Sequence, residues 1–103
     1  MEIQDIHGRM IRLTDERLNH LETDHPEMQG QISKIVETLK EPNQIVLSKT
    51  DMQVELSYKY YATTPVTNKF LCVVVKVMAD DNFIITSYFT NDMKKGDIIW
   101  EKK

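Results

Sequence analysis

The sequence holds one cysteine, three glycines, three prolines and one tryptophan among its 103 residues. With Cys72 alone, no intramolecular disulfide can form, and a zinc site built on cysteines is excluded. Few Gly and Pro beside a hydrophobic fraction of 41% exclude a fibre or a disordered tail and leave a packed globule. Long apolar runs are missing as well. None approaches the roughly 18 residues that a membrane span needs. The opening Met1-Glu2-Ile3-Gln4-Asp5 has neither the basic stretch nor the apolar segment of a signal peptide. The chain is therefore expected in the cytoplasm, away from membranes, as a single domain over residues 1–103 held together by packing.

Excess positive charge is absent too. Lys and Arg number 13 against 16 Asp and Glu, a net charge of −3. That balance disfavours a broad nucleic-acid surface, which would neutralise many phosphates. Acidic residues crowd the first half, whereas Lys94, Lys95, Lys102 and Lys103 bring local positive charge to the end. A small basic site can coexist with an acidic whole.

What is present is a change of period. Ile3 to Ile6 and Met10 to Leu13 are short apolar-rich runs around His7-Gly8-Arg9, read as an N-terminal hairpin or extended arm. Thr14 offers an N-cap oxygen to a first helix, with Asp15 and Glu16 in its first turn and Leu18 and Leu21 on its inner stripe. His25-Pro26 ends it, because the residue before proline avoids helical geometry. A second helix is expected from Glu27 to Lys40, with Met28, Ile32, Ile35, Val36 and Leu39 along one face and Glu41-Pro42-Asn43 as its stop. From Gln44 the pattern is that of strands: Ile45 to Leu47, the alternating Gln53 to Tyr61, Phe70 to Met78, Phe83 to Thr90, and a short Ile98-Ile99-Trp100. The expected fold class is α+β, with a helical N-terminal third against one face of an antiparallel sheet.

The hairpin of the two strongest strands carries the functional reading. If Asp80-Asp81-Asn82 is a three-residue loop with Asn82 left-handed, Ala79 pairs with Phe83 and Lys76 with Thr86. Leu71, Val73, Val75, Val77, Phe83, Ile85 and Phe89 then form the core face. The opposite face brings a cation, two hydroxyls and a phenol together: Lys76, Thr86, Thr90 and Tyr88. A four-residue loop would shift this pairing. Lys76 interrupts an apolar run, and an unpaired buried ammonium is costly, so it either points to water or serves chemistry.

The histidines are the other candidates. His20 shares a helix flank with Arg17 and Asp24, which fits a solvated flank or a general acid or base. His25, at the helix end, reads on its own as a structural cap. Their five-residue separation does not suit two metal ligands on one helical face, and no third ligand is evident, so no metal or cofactor is expected. The tyrosines Tyr58, Tyr60, Tyr61 and Tyr88 could stack on bases, although tyrosine is common in strands.

Thr14-Asp15-Glu16-Arg17 with His20, His25-Pro26-Glu27, Tyr58-Lys59-Tyr60-Tyr61, Leu71 to Val77, and Phe83 to Tyr88 running into Lys94-Lys95-Gly96-Asp97-Ile98-Ile99-Trp100 follow one another in a telling order. Their succession resembles the phage and cyanobacterial branch of the Barnase-EndoU-colicin-RelE-like nuclease family. The resemblance implies two helices on one face of a sheet of about four antiparallel strands, and a toxin-type endoribonuclease that works without a metal or other cofactor. In that chemistry the ribose 2′-hydroxyl attacks the adjacent phosphate, which calls for a base, an acid and a cation. Carried over by position, His20 and His25 match the family's helix histidines, Lys76 its strand lysine and Thr86 its hydroxyl, with Lys59, Tyr88 and Thr90 contacting RNA. The partners implied are an RNA substrate and an antitoxin or immunity protein. Asp24 stands where the family usually carries an arginine. The competing class is a catalytically inactive module of the same fold that binds RNA or protein.

Overall fold

The computed structural model describes all 103 residues. In chain order they form β1 (Glu2–Gln4), β2 (Met10–Arg12), α1 (Asp15–Asp24), a 3-10 turn (Pro26–Met28), α2 (Ile32–Lys40), β3 (Gln44–Leu47), β4 (Val54–Tyr60), β5 (Phe70–Val77), β6 (Asn82–Thr90) and β7 (Asp97–Glu101). All strands join one sheet in the order β1-β2-β6-β5-β4-β3-β7. The class is α+β, but the expectation of about four antiparallel strands is corrected. The sheet has seven strands and is mixed, because β2 meets β6 in parallel through Arg12 and Phe83. The N-terminal hairpin extends one edge of the sheet, and β7 forms the other edge by pairing with β3.

Thr14 caps α1 as its position suggests, with Oγ1 accepting from the Arg17 N–H at 3.1 Å. The helix expected from Glu27 to Lys40 is shorter. After Pro26 the chain makes a single 3-10 turn, and Gly30 at φ +75° redirects it before α2 begins at Ile32. Both helices cover the same face of the sheet. Leu21, Met28, Ile35 and Leu39 pack with Leu71, Val73 and Val75, and the hairpin adds Ile3, Ile11 and Leu13. Leu18 and Ile32, expected inside, are half-buried at the rim of this core. The hairpin is fastened by Arg9, whose guanidinium donates to both Glu55 carboxylate oxygens at 2.7 and 3.2 Å and to Asp5 at 2.9 Å.

The β5–β6 register differs from the expected one. Val77 pairs with Asn82 and Lys76 with Phe83, so four residues, Met78 to Asp81, make the connection, and Asn82 has no positive φ. Further along, Val75 pairs with Ile84 but Val74 with Thr86. Ile85 is thus the extra residue of a β-bulge, which reverses the facing of every residue on one side of it. Ile84 takes the core position expected for Ile85, and Phe83 and Val77 are only half-buried. Thr86 lies opposite Val74 and not opposite Lys76. Beyond the bulge the parity is as expected, so Thr86, Tyr88 and Thr90 do face away from the helices.

Candidate active site

The face away from the helices is crossed by the chain itself. Sheet order places β6 and β7 four strand spacings apart, roughly 19 Å across a flat sheet. The connecting residues, 91–96, can reach about 25 Å at full stretch. This arm therefore runs nearly straight over β5, β4 and β3. It is pinned where the Lys94 N–H donates to the Tyr58 hydroxyl at 2.9 Å. It is pinned again at Gly96, where a Cβ would stand 2.5 Å from the Leu47 carbonyl oxygen. Only glycine allows that approach. Beneath the arm, Val46, Leu56, Tyr58 and Cys72 form a second small core with Phe70, Val74 and Tyr88 at its margin.

Beside the arm opens a cavity of about 330 Å³. Its floor is Val54, Leu56 and Val74, and Thr86 and Tyr88 of β6 line one side. Lys94 and Lys95 come from the arm, and Ser48, Lys49 and Thr50 from the β3–β4 loop. The loop is held by its own bonds, the Thr50 N–H and hydroxyl both meeting Ser48 Oγ, at 3.3 and 3.2 Å. Two other depressions, beside α1, also carry cations, Arg12 and Arg17, one of them with Glu16 and His20. The largest depression, about 590 Å³, is lined by Asp15, Glu16 and Glu22, which repel an anion.

His25 meets Tyr88, one of the lining residues, from the helical layer. Only the Phe83 end of β6 has β2 beside it, so the rest of that edge is left to α1 and the 3-10 turn, both of which contact β6. The helix ends at His25, whose backbone is turned to φ −131° and ψ 81° ahead of Pro26. Its ring centroid lies 5.5 Å from that of Tyr88, with the planes tilted by 35°, a favourable spacing for aromatic rings. His25 Nδ1 is 3.6 Å from Glu27 Oε1.

Burial sets the protonation of the groups below. The Cys72 thiol is pushed up to about 11 and the Tyr58 phenol to about 12. Tyr88 is raised further, again chiefly by burial. All three are neutral at physiological pH, with the Tyr58 and Tyr88 hydroxyls against the Cys72 sulfur.

The remaining sequence candidates lie elsewhere. His20 is exposed on α1, 3.8 Å from Glu16, in a depression shared with Arg12 and Arg17. Lys76 is on the cavity's face but outside its lining, and its ammonium donates to Asp51 Oδ2 at 2.6 Å. The Asp51 carboxyl is lowered from its ordinary value by that bond and by the Gln53 N–H. Lys59 projects to the helix side, where it donates to the Glu41 carbonyl at 2.9 Å, and Thr90 bonds the Asp92 backbone at the start of the arm. The structure thus sets His25 against Tyr88, two residues from Thr86 on one strand face, and leaves His20, Lys59 and Thr90 apart. Lys49, Lys94 and Lys95 were missed as site residues. The charge of Lys94-Lys95 was visible, but its place over the sheet depends on the strand order. No group of three or more His, Cys, Asp or Glu side chains is placed to hold a metal ion.

The open face of the helix-backed sheet thus carries a cavity lined by hydroxyls and lysines, with a histidine packed on one of its lining residues, Tyr88. The chain belongs to the family described as phage-Barnase-EndoU-ColicinE5/D-RelE like nuclease 2, whose sequence model matches residues 2–101. No curated protein and no solved structure matches it. The protein is a nuclease by family, and nucleic acid is the substrate class that follows.

Proposed function

We propose that the protein is a metal-independent endoribonuclease acting at the cavity beside His25. The observation that carries this reading is the His25 imidazole against Tyr88, because it joins a proton-transfer group from the helical layer to hydroxyl donors on the sheet. Thr86 and Tyr88 stand two residues apart on one strand face, about 7 Å along it. A phosphodiester between them receives a hydrogen bond from either side. His25 takes the 2′-hydroxyl proton as that oxygen attacks phosphorus, and the 5′-oxygen leaves with a proton from the protonated imidazole or from water. Glu27 sits 3.6 Å from Nδ1, where it steadies the imidazolium that forms. Donors fixed beforehand at the developing charge supply a large part of such catalysis. Lys76 is a further candidate on the same face and Thr90 an outlying RNA contact at the start of the arm, whereas His20 and Lys59, which lie off that face, stay outside the reaction.

Because the family name joins colicins and RelE, a toxin-type role is the natural biological setting, with an antitoxin or immunity protein as partner and the cytoplasm as the place of action. The test is a cleavage assay on RNA with chelator present, beside the same sequence carrying a single 2′-deoxy sugar at the cut site. The expected result is cleavage that leaves a 2′,3′-cyclic phosphate and is blocked by the deoxy sugar. Cleavage of the deoxy substrate would overturn the mechanism. Intact RNA with bound protein would point to the inactive binding module.

A further inference from the structure

The chain is acidic, yet three of the ten residues lining the cavity are lysines and none is a carboxylate. Of the chain's 13 Lys and Arg only Arg9, Arg12 and Lys76 have a carboxylate within ion-pair distance, so what sets Lys49, Lys94 and Lys95 apart is that they share one acid-free lining. Asp51 and Glu55 are the acids next to this lining in sequence; Lys76 holds the Asp51 carboxylate, and Arg9 holds that of Glu55 on the other face. Asp92, within the arm, and Asp97, just after it, do not line the cavity. The three cations stand on separate supports, one on the β3–β4 loop and two on the arm. Both supports are fixed by their own hydrogen bonds or close contacts. A solvated surface would scatter its lysines among acids. Here three exposed lysines share one cavity with no acid in its lining, an arrangement that favours an anion there.

We propose that Lys49, Lys94 and Lys95 form a phosphate clamp that grips a single polynucleotide strand from the loop on one side and the arm on the other. The clamp deepens the ribonuclease reading by naming how that site holds its substrate. The strand lies in the cavity between two raised walls, with a reacting phosphodiester at Thr86 and Tyr88 and neighbouring phosphates against the lysines. A duplex, which offers its phosphates from a broad convex surface, does not enter between those walls. Few charges are engaged, so the salt dependence is shallow. Three phosphates neutralised on a single strand give a slope of log K against log salt of about −2, and each lysine removed lowers its magnitude by roughly 0.7.

The experiment measures binding, independently of cleavage. A fluorescent 2′-O-methyl oligoribonucleotide, whose blocked hydroxyl cannot attack, is titrated with protein by anisotropy over a range of KCl concentrations. Wild type should bind with a slope near −2. Lys95→Gln should lower that slope by one step, and Lys49→Gln/Lys94→Gln/Lys95→Gln should abolish it. A Lys102→Gln/Lys103→Gln control, with thermal melts for all variants, should bind as wild type does. A triple variant that keeps the slope, a control that loses as much, a duplex that binds equally well, or wild type that does not bind would each overturn the clamp. The two readings fail separately. Wild type that binds as described but never cuts RNA leaves the clamp standing and removes the ribonuclease. Cleavage with an unchanged slope in the triple variant does the reverse.

Discussion

Cys72, Tyr58 and Tyr88 lie together under the arm, and all three must be neutral for the fold to hold them. Burial raises Cys72 from 9.0 to about 11 and Tyr58 from 10.0 to about 12. A group whose pKa is higher when folded gives up stability once the unfolded chain ionises first. Stability is therefore full below about pH 9 and falls as pH rises through 11. Thermal melts across that window should show the decline, and Cys72→Ala should flatten part of it. An unchanged pH slope in Cys72→Ala would place the titration elsewhere. Lys76 is tied to Asp51, so its removal releases a carboxylate beside Lys49. Lys76→Met should cut slowly, and Lys76→Met/Asp51→Asn should recover part of the loss, as judged by initial rates on RNA. No recovery would mean that Lys76 meets the phosphate itself.

Among the elements, the arm is the most sensitive to one atom. Gly96→Ala sets a methyl against the Leu47 carbonyl, a rigid neighbour, and lifts the arm from β3. The variant should stay folded but melt lower and bind the 2′-O-methyl strand less tightly. Unchanged binding by anisotropy would mean that the arm's seat does not matter. In the core, Leu71→Ala should cost about 2 to 5 kcal/mol by denaturant titration, since a fully buried leucine leaves a cavity behind. The helices and strands were legible because their periods are plain in Leu18, Leu21, Ile35 and Leu39 and in Val54 to Tyr60. The bulge at Ile85 was not, because Phe83-Ile84-Ile85 is apolar throughout and either register buries a large side chain. Gly30 stopped a helix that the spacing of Met28 and Ile32 favoured, since periodicity does not report backbone strain.

The whole molecule explains why half of the site escaped the sequence. Thr86 and Tyr88 could be placed on the open face because they alternate with core residues on one strand, and alternation is a local signal. His25 was noticed but read on its own as a cap, because nothing nearby shows that α1 runs along the unpaired edge of β6. Lys49 and Lys94 sit 45 positions apart and meet only because β7 returns to the far side of β3. That strand order is non-local and rests on pairings no short window contains. The same order divides the labour: the helices bury one face, and the face they leave open receives the arm, the loop and the histidine.

The central claim is that chemistry occurs beside Tyr88, at His25, and not on the exposed flank of α1. The most direct test is the initial rate of RNA cleavage, in chelator, by His25→Ala and His20→Ala beside wild type, with melts to confirm folding. The account predicts a loss on the order of 10²- to 10⁴-fold for His25→Ala, the worth of a positioned general acid or base, and a rate within a few-fold of wild type for His20→Ala. A folded His25→Ala protein that cuts as fast as wild type would contradict it.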